Sequence, residues 1–297
     1  MRIVTRGDFD GLTCTVLLSE VETIDEIRMA HPKDAQDGNV SAEAQDIVVN
    51  LPYILGCGMW FDHHSSEADV ATNFQFKGRF EVAPSCARVI YNHYAPAHRK
   101  KFVRFAELLE ATDRFDSANL KMEDVTDPAG YIMLGQTFDP RSGLNADFKN
   151  YFESLSQFLR TEPIEKVMAH PEVVKRSTRV LNERDAFKAL LAKHAHREGN
   201  VIVSDLRGVK DRPAGNRFLV FTLFPEANVD VRLIDGRDGG VVVAVGHSIF
   251  NRTCTVNVGR LMQEYGGGGH KGVGTAQLRR DAANAQIAAI VERLKGR

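Results

Sequence analysis

Aromatic anchors, paired cysteines and a surplus of either charge are all scarce in this chain. Trp60 is the single tryptophan among 297 residues, and 38 Lys+Arg against 39 Asp+Glu leave a formal net charge of -1. With no global positive field to draw in long nucleic acid, any affinity for a polyanion has to come from a local cluster. That favours a small or single-stranded ligand over a long duplex. The four cysteines, Cys14, Cys57, Cys86 and Cys254, are scattered with no Cys-x-x-Cys pair. Their spacing excludes a zinc ribbon and disfavours a disulfide framework, so a reduced, cytoplasmic setting fits. No run reaches the ~18 apolar residues needed to span a bilayer, so no membrane partner is expected. Met1 to Asp8 reads as a strand entering a polar loop rather than a basic segment before an apolar signal core, and no export is expected. Internal repeats and low-complexity tracts are also missing.

What is present is a globular balance: 43% hydrophobic and 26% charged residues, enough for two cores at this length. Met1 to Thr5 is a short apolar strand, and Leu12 to Leu18 a buried helix after the turn Arg6-Gly7-Asp8-Phe9-Asp10-Gly11. Ile24 to Met29, Asp46 to Leu51 and Gly58 to Phe61 are further short apolar runs bounded by turn residues, as in a parallel α/β sheet. From Ser85 the pattern turns helical. Pro171 to His196 reads as one long helix, with Pro171 at its first turn and Gly199 as its stop. A second strand-and-helix block follows: Val201 to Val203, Phe218 to Leu223, Val229 to Ile234, Val241 to Val245, a helix capped by Asn257, a strand at Thr275 to Leu278 and a closing amphipathic helix. The expected division is residues 1–197 and 198–297, an α/β parallel-sheet domain with a helical segment linked by a long helix to a smaller α/β domain.

Three clusters carry candidate chemistry. Asp8 and Asp10 follow the first strand, where the carboxyl end of a doubly wound sheet binds ligands; an acidic turn with Asp10 capping the next helix is the plainer alternative. Asp62-His63-His64 follows another strand and combines a carboxylate with two imidazoles, a set suited to Mn²⁺ or a similar ion; a solvated loop is the alternative. Gly266-Gly267-Gly268-Gly269-His270-Lys271 offers unhindered N–H groups for a phosphate nest, with His270 and Lys271 adding charge; a flexible turn is the alternative.

In this order, Asp-x-Asp-Gly, Asp-His-His and Gly-Gly-Gly-Gly-His resemble the DHH phosphoesterase superfamily with its DHH-associated C-terminal domain, including exopolyphosphatase-like and nanoRNase-like members. The resemblance covers nearly the whole chain. It implies a metal-dependent hydrolase of phosphoester or phosphoanhydride bonds. Asp8, Asp10 and His63 would be metal ligands, Asp62 would orient the pair, and His64 would face substrate. The last acidic ligand would come from Thr112-Asp113-Arg114-Phe115-Asp116, with Asp113 preferred to Asp116. Ser248, Asn251, Arg252, Gly267, Gly268, Gly269 and His270 would bind substrate.

Two departures stand out. Arg6 and Val4 occupy the positions where the family carries a metal-binding His, and Asn50 stands where it carries a bridging Asp. Two ions about 3.5–4 Å apart need anionic bridging, so replacing that carboxylate with an amide weakens the pair. One or two ions of Mn²⁺ or Mg²⁺ are therefore expected, with Arg6 a catalytic cation in part of the vacated site. The substrate class is a small phosphorylated molecule or short oligonucleotide held between the domains; homodimerisation is left open. The rival from another class is a phosphate-ligand or nucleotide sensor that has lost catalysis, motivated by Arg6 and Asn50. A nucleic-acid processing module would need a basic, aromatic-lined groove, which the near-neutral charge disfavours.

Overall fold

The computed structural model describes residues 1–138, 143–236 and 239–297. They form two compact units, one of Met1–Asn119 with Pro128–Ser177, the other of Leu120–Asp127 with Thr178–Arg297.

The first unit is built on a five-stranded sheet of β1 (Arg2–Thr5), β2 (Glu26–Met29), β3 (Asp46–Val49), β4 (Met59–Asp62) and β5 (Gly78–Phe80), in the order β2-β1-β3-β4-β5. Every pairing is parallel. Strands buried on both faces need continuous apolar runs, and Ile3, Val4, Ile47, Val48 and Val49 are fully buried. The chain steps from β1 out to β2 and then returns to the opposite side of β1 as β3. This reversal splits the loops at the carboxyl ends of β1 and β3 and opens a crevice there. Arg2 donates from Nε and Nη2 to the two oxygens of buried Asp46 at 2.8 and 2.7 Å, tying the starts of β1 and β3 together.

Helices follow the strands: α1 (Phe9–Leu18), α2 (Pro32–Gln36), α3 (Ala68–Asn73), α4 (Cys86–Phe102) and α5 (Ala106–Asp116). Every residue of α1 is buried, and α1 packs on both α4 and α5. Trp60 is structural: its indole donates to Leu51 O at 2.9 Å inside an apolar cluster with Val4, Val48 and Leu51. α6 (Met122–Thr126) belongs to the second unit, whereas α7 (Gly130–Gln136), α8 (Ala146–Thr161) and α9 (Ile164–Met168) return to the first.

The long helix is α10 (Pro171–His194), and the division between units falls inside it, after Ser177, rather than at residue 197. Gly199 does not stop it. α10 runs directly into β6 (Ala195–Glu198), and Gly199, at φ 66°, makes the turn to β7 (Val201–Asp205). The remaining elements are α11 (Val220–Leu223), β8 (Val229–Asp235), β9 (Val241–His247), α12 (Val258–Gln263), β10 (Gly268–His270), β11 (Val273–Leu278) and α13 (Ala283–Leu294). The second sheet has the order β10-β11-β9-β8-β7-β6, with β7 and β8 parallel and the other pairs antiparallel. Alternate residues Val229, Val231, Leu233 and Val241, Val243, Val245 meet Leu261, Met262, Ile287, Ile290 and Leu294, the period-two pattern of a sheet covered on one face. Phe218 to Leu223, an apolar run in the second strand-and-helix block, is a 3₁₀ turn leading into α11. β7 pairs with β8 in parallel, so the chain between them must cross over, and helical turns satisfy its backbone locally.

Candidate metal and phosphoester site

Asp8 closes β1 and begins α1. Its Oδ1 accepts from Gly11 N at 2.9 Å, so Asp8, not Asp10, caps the helix. Gly11 is required by packing, since a Cβ there would lie 2.1 Å from Arg6 O. Asp8 is fully engaged: Arg6 Nε pairs with its Oδ2 at 2.9 Å, and Asn50 Nδ2 donates to its Oδ1 at 3.0 Å. Asn50 follows β3 with φ 53°, a left-handed conformation that asparagine tolerates better than most residues. The Asp8–Asn50 bond thus bridges the crevice between β1 and β3. Asn50 Oδ1 is buried without a hydrogen-bond partner among the described residues.

Asp10, in the first turn of α1, is buried at the N-terminus of α4. Its oxygens accept from Cys86 N at 2.8 Å and Ala87 N at 2.9 Å, so the unsatisfied amides of a 17-residue helix hold this carboxylate. Burial still pushes the Asp10 carboxyl well above its ordinary range, and the charges of Asp116 and Asp8 push the same way.

The tandem imidazoles follow β4. His63 Nδ1 donates to Ala83 O at 3.0 Å, which fixes the neutral ring with its lone pair on Nε2. That Nε2 is buried, has no hydrogen-bond partner among the described residues, and lies 3.3 Å from Asp116 Oδ2 and 3.8 Å from Asp10 Oδ2. Burial, with the neighbouring His64, lowers the His63 pKa and favours the neutral ring. His64 Nδ1 donates to Asp62 Oδ1 at 2.9 Å, and this bond holds His64 above the ordinary imidazole value. Asp116, at the rim, is pushed up to about 7 by desolvation and by Asp8.

Asp10, His63 and Asp116 therefore offer three ligand atoms within 4.8 Å of one another; Asp62, His63 and His64 form a second such group. In the second, Asp62 Oδ1 accepts from His64 while Asp62 Oδ2 is buried with no hydrogen-bond partner among the described residues; the first sets the unpartnered His63 Nε2 against two carboxylates. A lone pair facing two carboxylates is repulsive unless a proton or a cation lies between them, and the upward displacement of both carboxyls reflects the same crowding of negative charge and burial. Asp113, preferred over Asp116 on sequence, is in neither group. It accepts from Ser85 Oγ at 2.6 Å and from Arg88 Nε at 2.8 Å, with Arg88 Nη2 in closer contact. Asp8 is in neither group either, because Arg6 takes the neighbouring oxygen. The sequence marked Ser85 only as the start of the helical pattern and did not single out Arg88; neither was read as part of the site.

In the second unit the glycine run does two different jobs. Gly266, at φ 74°, and Gly267 donate to Gln263 O at 3.1 Å and Met262 O at 2.9 Å, closing the end of α12. Their N–H groups are thus spent on orphan helix carbonyls rather than forming an anion nest. Gly268, Gly269 and His270 form β10 against β11. A Cβ on Gly267 would lie 2.0 Å from Thr275 O, whereas one on Gly268 would meet nothing within 4 Å. His270 and Lys271 are exposed. Ser248 is buried and its Oγ accepts from Phe250 N and Asn251 N at 3.1 and 3.0 Å; Asn251 Nδ2 donates to Glu226 O at 3.0 Å, and Arg252 Nε to Ile249 O at 3.0 Å. Ser248 and Arg252 bond within their own loop, and Asn251 ties that loop to Glu226.

A parallel sheet of order 2-1-3-4-5, carboxylates and imidazoles at its carboxyl edge, and a second mixed-sheet unit define the fold class. The structure of a pGpG-specific phosphodiesterase from Vibrio cholerae is similar to this chain at 33% identity, with 99% of this chain and 98% of that one covered and a TM-score of 0.87. The chain belongs to the DHH phosphoesterase superfamily. The fold is shared at lower identity with the DHH domain of a member of a family of ribosomal proteins (13%, 99% and 87% covered, TM-score 0.57) and with RecJ from Thermus thermophilus in complex with Mn²⁺ (13%, 99% and 52%, TM-score 0.56). No protein-family model and no curated protein matches the chain. Among the described residues no helix is long and apolar enough to cross a membrane.

Proposed function

We propose that this phosphoesterase is a divalent-metal-dependent phosphodiesterase that cleaves a short oligonucleotide, with a guanine dinucleotide of the pGpG kind as its first candidate substrate. The observation that carries the metal reading is the buried, unpartnered Nε2 of His63 directed at oxygens of both Asp10 and Asp116. The substrate class rests on the Vibrio cholerae relative, named as pGpG-specific and alike over nearly its whole length.

Asp10, His63 and Asp116 would hold the ion, with Mn²⁺ favoured over Mg²⁺ by the imidazole. A bound ion would supply Lewis-acid polarisation of the phosphoryl group. The chain's own groups do the rest. His64, whose protonated form the Asp62 hydrogen bond favours, would neutralise charge on the phosphoryl oxygens or return a proton to the leaving oxygen. Arg6, paired with Asp8, adds a fixed cation beside the same carboxylates and stands where a further metal ligand is missing. Hydrolysis consumes one water and breaks one P–O bond, converting pGpG into two molecules of pG.

The test is product analysis after incubation with pGpG, a cyclic dinucleotide, pyrophosphate or longer RNA, each with Mn²⁺ or Mg²⁺. The expected result is conversion of pGpG to pG, faster with Mn²⁺ and abolished by His63→Ala. Binding of pGpG without any product under either ion would contradict it.

A further inference from the structure

Asp113 lies one helical turn before Asp116 on α5, so both carboxylates occupy the same face of that helix. Only Asp116 reaches His63. Asp113 instead receives the hydroxyl proton of Ser85 and the guanidinium of Arg88, and Ser85 and Arg88 are the N-cap and third residues of α4. The same hydroxyl accepts from Arg88 N at 3.1 Å. The first three amides of α4 are consequently all committed: Cys86 N and Ala87 N to Asp10, Arg88 N to Ser85.

We infer that Asp113, with Ser85 and Arg88, is a positioning group that sets two metal ligands at once. Through Ser85 and Arg88 it anchors the start of α4, whose amides hold the Asp10 carboxylate. Through the backbone of α5 it fixes the rotation that presents Asp116 to His63. Charge supports this division of labour. Arg88 neutralises Asp113, so Asp113 adds no net negative charge to a cluster that already gathers Asp8, Asp10, Asp62 and Asp116. The Asp113 oxygens are directed at Ser85 and Arg88 and lie outside the group around His63, whereas Asp116 faces its unpartnered nitrogen. Groups that orient metal ligands through hydrogen bonds change affinity by about 10–100-fold when removed.

The inference rests on the metal reading given above, and its test separates the two. Mn²⁺ alone is titrated by calorimetry into the intact wild-type protein and into Asp113→Asn, Arg88→Gln and Asp116→Asn. Metal-free melting temperatures and electron paramagnetic resonance spectra of bound Mn²⁺ are recorded alongside. Asp113→Asn and Arg88→Gln are expected to weaken Mn²⁺ about 10–100-fold without changing the number of ions bound, and to alter the spectrum as the ligands reorient. Asp116→Asn is expected to remove the site. A merely structural role would lower the melting temperature and leave affinity and spectrum at their wild-type values, which would overturn the inference. So would loss of the ion in Asp113→Asn with wild-type behaviour in Arg88→Gln, since Asp113 would then itself be a ligand. If Asp113→Asn does not fold, Arg88→Gln decides by the same readouts. Absence of Mn²⁺ binding to the wild type would instead remove the metal reading beneath it.

Discussion

Asp116 concentrates the electrostatics of the site in one side chain. Its carboxyl is held at about 7 by desolvation and by Asp8, against roughly 4 in an unfolded chain. A raised acid favours the fold while it carries its proton. In the metal-free protein, its stabilising contribution is therefore complete below pH ~4 and is lost as pH rises through about 7; Asp10, displaced in the same direction, adds to the trend. Removing the charge should relieve it. Asp116→Asn is expected to raise the metal-free melting temperature at pH 8 by about 2–4 °C, the shift corresponding to about 1 kcal/mol in a unit of this size. The same variant should lose the stabilisation that Mn²⁺ gives the wild type. A lowered melting temperature with Mn²⁺ stabilisation intact would contradict this assignment. His64 titrates oppositely in its use. The Asp62 hydrogen bond raises it, so activity that needs protonated His64 falls as pH rises through that raised value. Asp62→Asn is expected to move the alkaline limb of the kcat profile to lower pH; a limb that stays in place would exclude His64 as the titrating group.

At the scale of elements, the glycine run shows why a motif can be recognised before its work is understood. Four consecutive glycines read naturally as a nest, but two of them end α12 and two enter a strand. Spacing alone could not assign them, because the partner carbonyls of Met262 and Gln263 and the close approach of β11 exist only after folding. Gly267→Ala, placing a Cβ on Thr275 O, is expected to cost about 1–3 kcal/mol, read as a lowered midpoint in urea unfolding. Gly268→Ala, with open space at its Cβ, is expected to keep the midpoint. Equal destabilisation by both would contradict the division. The strand-then-ligand order of β1, β3 and β4 was legible in their apolar runs and flanking turns. Phe218 to Leu223 was not, because a short apolar run reads alike as strand or buried helix until its partners are known. Gly199 was misread for a similar reason: an αL glycine serves a hairpin as well as a helix end.

Across the whole molecule, membership of the superfamily was legible from three motifs in their order, and so were Asp10, His63 and the pair Asp113 and Asp116 as candidates; the choice within that pair was not. Asp113 and Asp116 carry the same chemistry one turn apart on one helix. What separates them is Arg88, on a different helix and 25 residues away in sequence. Likewise the pairing of Arg6 with Asp8 follows from the geometry of one loop, and it withdraws from the ligand group an aspartate that the motif would place there. The account as a whole depends on a cation bound by Asp10, His63 and Asp116. Anomalous diffraction at the manganese edge, from crystals soaked in Mn²⁺, measures this most directly. The predicted result is an anomalous peak within bonding distance of Asp10 Oδ2, His63 Nε2 and Asp116 Oδ2, with Asp113 still paired to Arg88. A peak coordinated by Asp113 and not Asp116, or no peak beside His63 in a crystal that binds manganese elsewhere, would contradict it.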